Sequence, residues 1–178
     1  MKEVIQKIIV HQAEGVVFHD MMTDYFDFLG LDGFMKLHEH QAVEEACEYR
    51  EMKEFFIDHF QTMYAPIEMK APSVIPNDWQ KHKTTEINAA SVRTLTKNAF
   101  DLYLKWEKET RELYKECAKA LKDECIECYY KVLELLDDVE KEIRKLEDMM
   151  VDLQVSDYDA KSITKMQCKL KREFKYKD

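Results

Sequence analysis

All three prolines of this chain, Pro66, Pro72 and Pro76, fall in one gap between residues 61 and 84, and the whole sequence of 178 residues holds only three glycines. Proline and glycine are the residues that most reliably interrupt a helix. On both sides of the gap, apolar residues recur at spacings of three and four, the period of a helix with one buried face. The pattern predicts four long helices at 2–29, 33–60, 85–121 and 124–154. Gly30 and Gly33 flank a tight reversal between the first two, and a few residues around Lys122 and Asp123 join the last two. Each pair is therefore expected to be an antiparallel hairpin. The gap at 61–84 is long enough, in extended form, to cross a whole bundle at ~3.3 Å per residue. The fold class is all-α: a four-helix bundle at 1–155 with one long crossover, followed by a basic tail or short helix at 156–178.

Composition narrows the function. A chain that is 46% hydrophobic and 35% charged suits amphipathic helices rather than disorder or a β-sandwich. No apolar run approaches the ~18 residues of a membrane span, and Met1-Lys2-Glu3-Val4 lacks a secretory pattern, so a cytoplasmic location and no membrane partner are expected. A net charge of −9 argues against general nucleic-acid affinity. The tail is the exception, with Lys161, Lys165, Lys169, Lys171, Arg172, Lys175 and Lys177. It reads first as a solvated helix and second as a contact for phosphates. Five cysteines with no framework spacing are expected to be free thiols. Cys125-x-x-Cys128 has the spacing of zinc and redox motifs, but without a second such pair it reads more simply as two thiols at a helix start.

The second helix carries the informative anomaly. Its inward stripe runs Phe34, Leu37/His38, Gln41, Glu45, Glu48, Met52, Phe55/Phe56 and His59. Glu45 and Glu48 stand where apolar residues belong. A buried unpaired carboxylate costs several kcal/mol and takes a proton, a cation or a metal. Glu14 falls on the stripe read for the first helix (Val10, Glu14, Phe18, Met21, Tyr25, Phe28). Glu107 lies on the third beside Tyr103 and Thr110, and Glu140 lies at the edge of the fourth. A shift of one position turns a helical side chain by about 100°, so Glu44 competes with Glu45 for the inward place. Arg50, Arg93 or Arg144, or the hydroxyls of Tyr25, Tyr49 or Tyr103, are alternative partners. His19 and His40 read as outward-facing, and His38 borders the core.

At this point the chain resembles the ferritin-like superfamily. His40-Gln41-Ala42-Val43-Glu44-Glu45-Ala46-Cys47-Glu48 is similar to the second-helix stretch of ferritins, Tyr25-Phe26-Asp27 to the end of their first helix, and VEKEIRKLEDMMVDL from Val139 to their fourth. In that resemblance Glu45 matches a metal-ligating Glu, and Glu48 stands where the family has His. The first-helix ligand falls at Gln12, with Glu14 the nearby acid. The third falls between Tyr103 and Glu107, and only Glu140 is available on the fourth. Phe34-Met35-Lys36-Leu37-His38-Glu39 also resembles mini-ferritins of the Dps type, but Phe26 replaces their second ligand His. The resemblance implies a di-iron site, with manganese as the other candidate ion, altered toward carboxylates alone: Glu14, Glu45, Glu48, Glu107 and Glu140. It implies a ferroxidase-like activity and a homo-oligomer. The competing expectation is a metal-free bundle that serves as an interaction or assembly module.

Overall fold

The computed structural model describes residues 1–69 and 87–174. Five helices follow in order: α1 Lys2–Phe28, α2 Asp32–Phe60, α3 Ala89–Leu121, α4 Ile126–Gln154 and α5 Ala160–Glu173. The described part of the chain is a helical bundle without strands. The expected start of the third helix at Thr85 lies outside the described residues, as do Pro72 and Pro76. Asn88 starts α3, accepting hydrogen bonds from the amides of Ala90 and Ser91 while Ser91 bonds back to the Asn88 amide. Cys125 caps α4, its sulfur accepting from the Cys128 amide. Gly30 takes φ +69, which lets Leu31 donate to the carbonyl of Phe26 at 2.9 Å and reverses the chain into α2.

Side-chain pairs fix the helix directions. Along α1 the partners on α3 descend: His11 meets Thr110 at 2.7 Å, Phe18 stacks on Trp106 with centroids 4.9 Å apart, and the Tyr25 hydroxyl donates to the Leu95 carbonyl at 3.4 Å. These two helices are antiparallel. Along α2 the partners ascend: Phe34 meets Phe100 at 5.0 Å and His38 meets Tyr103 at 4.8 Å. Helices α2 and α3 therefore run the same way, and one segment, residues 61–88, joins them. Its first part lies along the end of α1, where the Ala65 amide donates to Gln6 Oε1 at 2.9 Å.

The core is split. One apolar cluster holds Phe26, Phe34, Phe100 and Leu146, and the other, toward the opposite end, holds Ile5, Met52, Leu121 and Val132. Between them Gln12, Gln41, Glu107 and Thr110 are buried. A polar layer in mid-bundle forfeits the stabilisation that continuous apolar packing supplies, so this is where function is to be sought.

The segment expected as a basic tail or short helix folds as amphipathic α5. Ile163, Met166, Leu170 and the following Phe174 face inward and extend the first cluster. Lys171 pairs with Asp32 at 2.6 Å, and the backbone of Gln167 approaches Gly33 so closely that a Cβ there would lie 2.5 Å from it.

Candidate metal centre

The α1 register differs from the sequence expectation. Its buried side includes Ile5, Ile8, Gln12, Gly15, His19, Met22 and Phe26, together with Phe18 and Tyr25 of the expected stripe. Val10, Glu14 and Met21 are only partly buried. Apolar residues surround α1 almost completely, so the stripe chosen from spacing alone was rotated from the true one. Two corrections follow. Glu14 does not line the central pocket; on α1 it is Gln12 that reaches a pocket acid, Glu48. His19, expected outside, is fully buried.

Glu45, Glu48 and Glu107 do come together. They line one cavity of about 440 Å3 between α2 and α4. Glu107 rises from the floor and is 4% exposed. Glu45 and Glu48 form one wall and are partly buried. The Glu45 carboxylate rests on the bare backbone of Gly15, where an added Cβ would sit 2.8 Å from it. Gln12 Nε2 lies 3.5 Å from Glu48 Oε2. On α4, Val139 takes the inward position, so Asp138 and Glu142 flank the mouth and Glu140 turns away. Glu140 lies 3.9 Å from Arg111 and 3.8 Å from Lys115, on the outer face of the α3–α4 pair. That is the correction for the fourth-helix candidate. Glu44, weighed as the inward acid, sits at the rim, 3.1 Å from Gln41 and 3.2 Å from His40.

The electrostatics are those of crowded acids: the pocket's two lysines, Lys141 and Lys145, are paired with Asp138 and Glu142 at 2.8 and 2.6 Å. Burial, reinforced by Glu48, Glu107 and Glu44, raises the carboxyl of Glu45 well above the usual range. Burial and then Asp138 push Glu48 up to about 7, while the Gln12 hydrogen bond pulls the other way. Burial, then Glu142 and Glu48, push Glu107 up to about 8. Among the described residues no lysine or arginine pairs with these three. Two of the three arginines expected as partners are committed elsewhere: Arg93 to Asp157 and Arg144 to the carbonyl of Glu140.

A histidine pair lies behind Glu107. His19 Nδ1 and His38 Nδ1 are 2.9 Å apart, and His19 Nε2 is 3.8 Å from Glu107 Oε1. Burial holds His19 down to about 3, and burial and then His19 lower His38 well below its ordinary value. Both rings are thus neutral near pH 7. One Nδ1 donates and the other accepts, so the two rings are opposite tautomers. His19 Nε2 and Gln12 Oε1 are buried without a hydrogen-bond partner, and both side chains border the carboxylates. Sequence reasoning missed His19, Asp138 and Glu142. The signal for His19 was its spacing of seven from Gln12, and for the other two their positions on either side of Val139.

This donor set fits oxygen-preferring cations: three carboxylates, one orphaned amide oxygen and one orphaned imidazole nitrogen. It is wider than the shell of a single ion. The described ligand atoms that gather within 4.8 Å of one another belong to His59, Cys125 and Cys128, not to the pocket acids.

No protein-family model and no curated protein sequence matches the chain. Solved structures do. One is an open-pore ferritin from the hyperthermophilic archaeon Archaeoglobus fulgidus, with TM-score 0.77 and 17% identity over 96% of this chain and 94% of that one. Another is a closed form of Archaeoglobus fulgidus ferritin engineered by mutagenesis, with TM-score 0.72 and 18% identity over 96% of this chain and 93% of that one. The chain has the ferritin-like fold.

Proposed function

We propose that this ferritin-like bundle binds Fe2+ in the pocket between α2 and α4, through Glu45, Glu48 and Glu107. The observation that carries the reading is that three carboxylates from two helices share one pocket and, among the described residues, no lysine or arginine forms an ion pair with them, the pocket's Lys141 and Lys145 being paired with Asp138 and Glu142. Bringing cations in relieves the cost of ionising all three. Gln12 Oε1 and His19 Nε2 are the further donors, and Glu44 stands at the mouth beside the Asp138–Lys141 and Glu142–Lys145 ion pairs. Because the acids are spread wider than one shell, two ions are the natural complement, iron first and manganese second. Bound iron supplies one-electron chemistry toward O2. The chain's own part is to gather the ions, exclude bulk water from below with Phe18 and Trp106, and hold protons on Glu48 and Glu107 until a cation displaces them. Assembly into a homo-oligomer belongs to the same reading.

Anaerobic titration with Fe2+, followed by O2 and absorbance, tests it. Saturable binding that is lost in Glu45→Ala and Glu107→Ala is expected. No saturation, or saturation unchanged in both variants, removes the reading.

A second reading rests on the raised carboxyls themselves. With Glu48 near 7 and Glu107 near 8, the layer is close to neutral at physiological pH without any cation. The bundle would then be a metal-free assembly module. It requires that chelator treatment leave both stability and oligomeric state unchanged.

A further inference from the structure

A second cluster lies at the far end of the same α2–α4 seam. His59 is in the last turn of α2, and Cys125 and Cys128 open α4. Cys125 Sγ is 3.3 Å from His59 Nε2, and the ligand atoms of all three residues lie within 4.8 Å of one another. For tetrahedral zinc, bonds of about 2.3 Å to sulfur and about 2.0–2.1 Å to nitrogen place ligand atoms roughly 3.6–3.8 Å apart. The cluster already has nearly that spacing.

Three further features suit a cation. The other ring nitrogen, His59 Nδ1, faces Glu127 Oε2 at 3.7 Å. Metal-binding imidazoles are commonly oriented by a carboxylate in this way, with one nitrogen to the acid and the other to the ion. The ring is also fixed by Phe55, stacked at 5.4 Å, and by the edge of Phe60 at 4.7 Å. The Cys128 amide donates to Cys125 Sγ at 3.2 Å, which holds that sulfur at the first turn of α4 beside His59. Finally, the charges balance: two thiolates and a neutral imidazole offset one divalent ion, which matters because Cys128 is fully buried.

We propose that Cys125, Cys128 and His59 bind one Zn2+, with Glu127 positioning the imidazole and the fourth coordination place left for solvent. The ion would tie the end of α2 to the start of α4. This site shares no residue with the carboxylate pocket and does not depend on it.

Cobalt reports the site directly. The reduced, chelator-stripped full chain is titrated with Co2+ and then Zn2+. One Co2+ per chain is expected to give a thiolate-to-cobalt charge-transfer band with the d–d bands of a tetrahedral ion, and Zn2+ abolishes both. C125S/C128S loses the charge-transfer band, whereas C47S/C168S and E45A/E48A keep it. Glu127→Gln weakens binding by about tenfold or more. X-ray absorption of the zinc-loaded wild type, which needs no variant to fold, is expected to show two sulfur neighbours. Absence of the band in the reduced wild type, its survival in C125S/C128S, or an absorption spectrum without sulfur overturns the proposal. So does a disulfide on air exposure in a chain whose reduced form takes no Co2+.

Discussion

The carboxylate of Glu45 on α2 occupies the space that a side chain at residue 15 of α1 would fill, and Gly15 is what leaves that space open. Glycine in a helix interior costs ~1 kcal/mol relative to alanine, so the chain gives up stability at a position where the pocket needs room. Gly15→Ala is expected to fold, because the atom it meets is the far end of a flexible side chain. Gained helix propensity and the displaced carboxylate should leave stability within about 1 kcal/mol of wild type. Fe2+ binding should fall by about tenfold, the effect of losing ~1.4 kcal/mol of ligand geometry. Denaturation with chelator present and anaerobic titration check the two halves separately.

Glu107 is the most buried of the three acids, with its carboxyl pushed up to about 8. Glu107→Gln keeps its shape and removes the charge. Above pH 8 the metal-free variant should be more stable than wild type by about 1–3 kcal/mol, the cost of a buried polar group left uncompensated. The same variant should lose cation binding. Urea midpoints and Fe2+ titration at that pH measure both.

The pocket and its histidines set opposite pH limits. Glu48 and Glu107 keep protons in the folded chain up to about 7 and about 8, but release them near 4.5 when unfolded. Their contribution to stability is full below about 4.5 and is lost as pH rises through the folded values. His11 and His19 are held down to about 4 and about 3, against 6.5 unfolded. Their contribution is full above 6.5 and is lost as pH falls through the folded values. Between 4.5 and 6.5 the two sets oppose each other. The stability of the metal-free protein is therefore expected to be flattest in that window and to decline on both sides. Saturating cation should remove the alkaline decline only. Urea midpoints across pH, with and without chelator, show it.

Gly33 is a different case from Gly15. A Cβ there meets the Cα and carbonyl of Gln167, which are backbone and cannot swing aside. Gly33→Ala should cost about 1–3 kcal/mol, the usual penalty of overpacking. It should also free α5, which limited proteolysis near residue 156 would detect.

How far the sequence revealed the site differs from helix to helix. On α3 the apolar residues concentrate on one face, so Tyr103 and Thr110 were placed correctly and Glu107 with them. On α2 the two acids interrupt an otherwise apolar stripe, and both face the pocket. On α1 isoleucine, valine, phenylalanine and methionine occupy nearly every face. Spacing there cannot fix rotation, and both Glu14 and His19 were misplaced. On α4 the inward position at mid-bundle belongs to Val139, so Glu140 one step on could only point away. The C-terminal segment was read by its charge as a tail or short helix, and Ile163, Met166 and Leu170 at helical spacing are what dock it as a helix. The pairing of His19 with His38 depends on the relative height of two helices, which no single helix records.

The central claim is that cations enter the polar layer between the two half-cores. Crystals soaked anaerobically in Fe2+, with anomalous scattering recorded at the iron edge, test it most directly. The account predicts density inside the pocket bounded by Glu45, Glu48 and Glu107, absent in crystals of Glu107→Gln. Density confined to exposed acids, or none in the pocket at saturating iron, would contradict it.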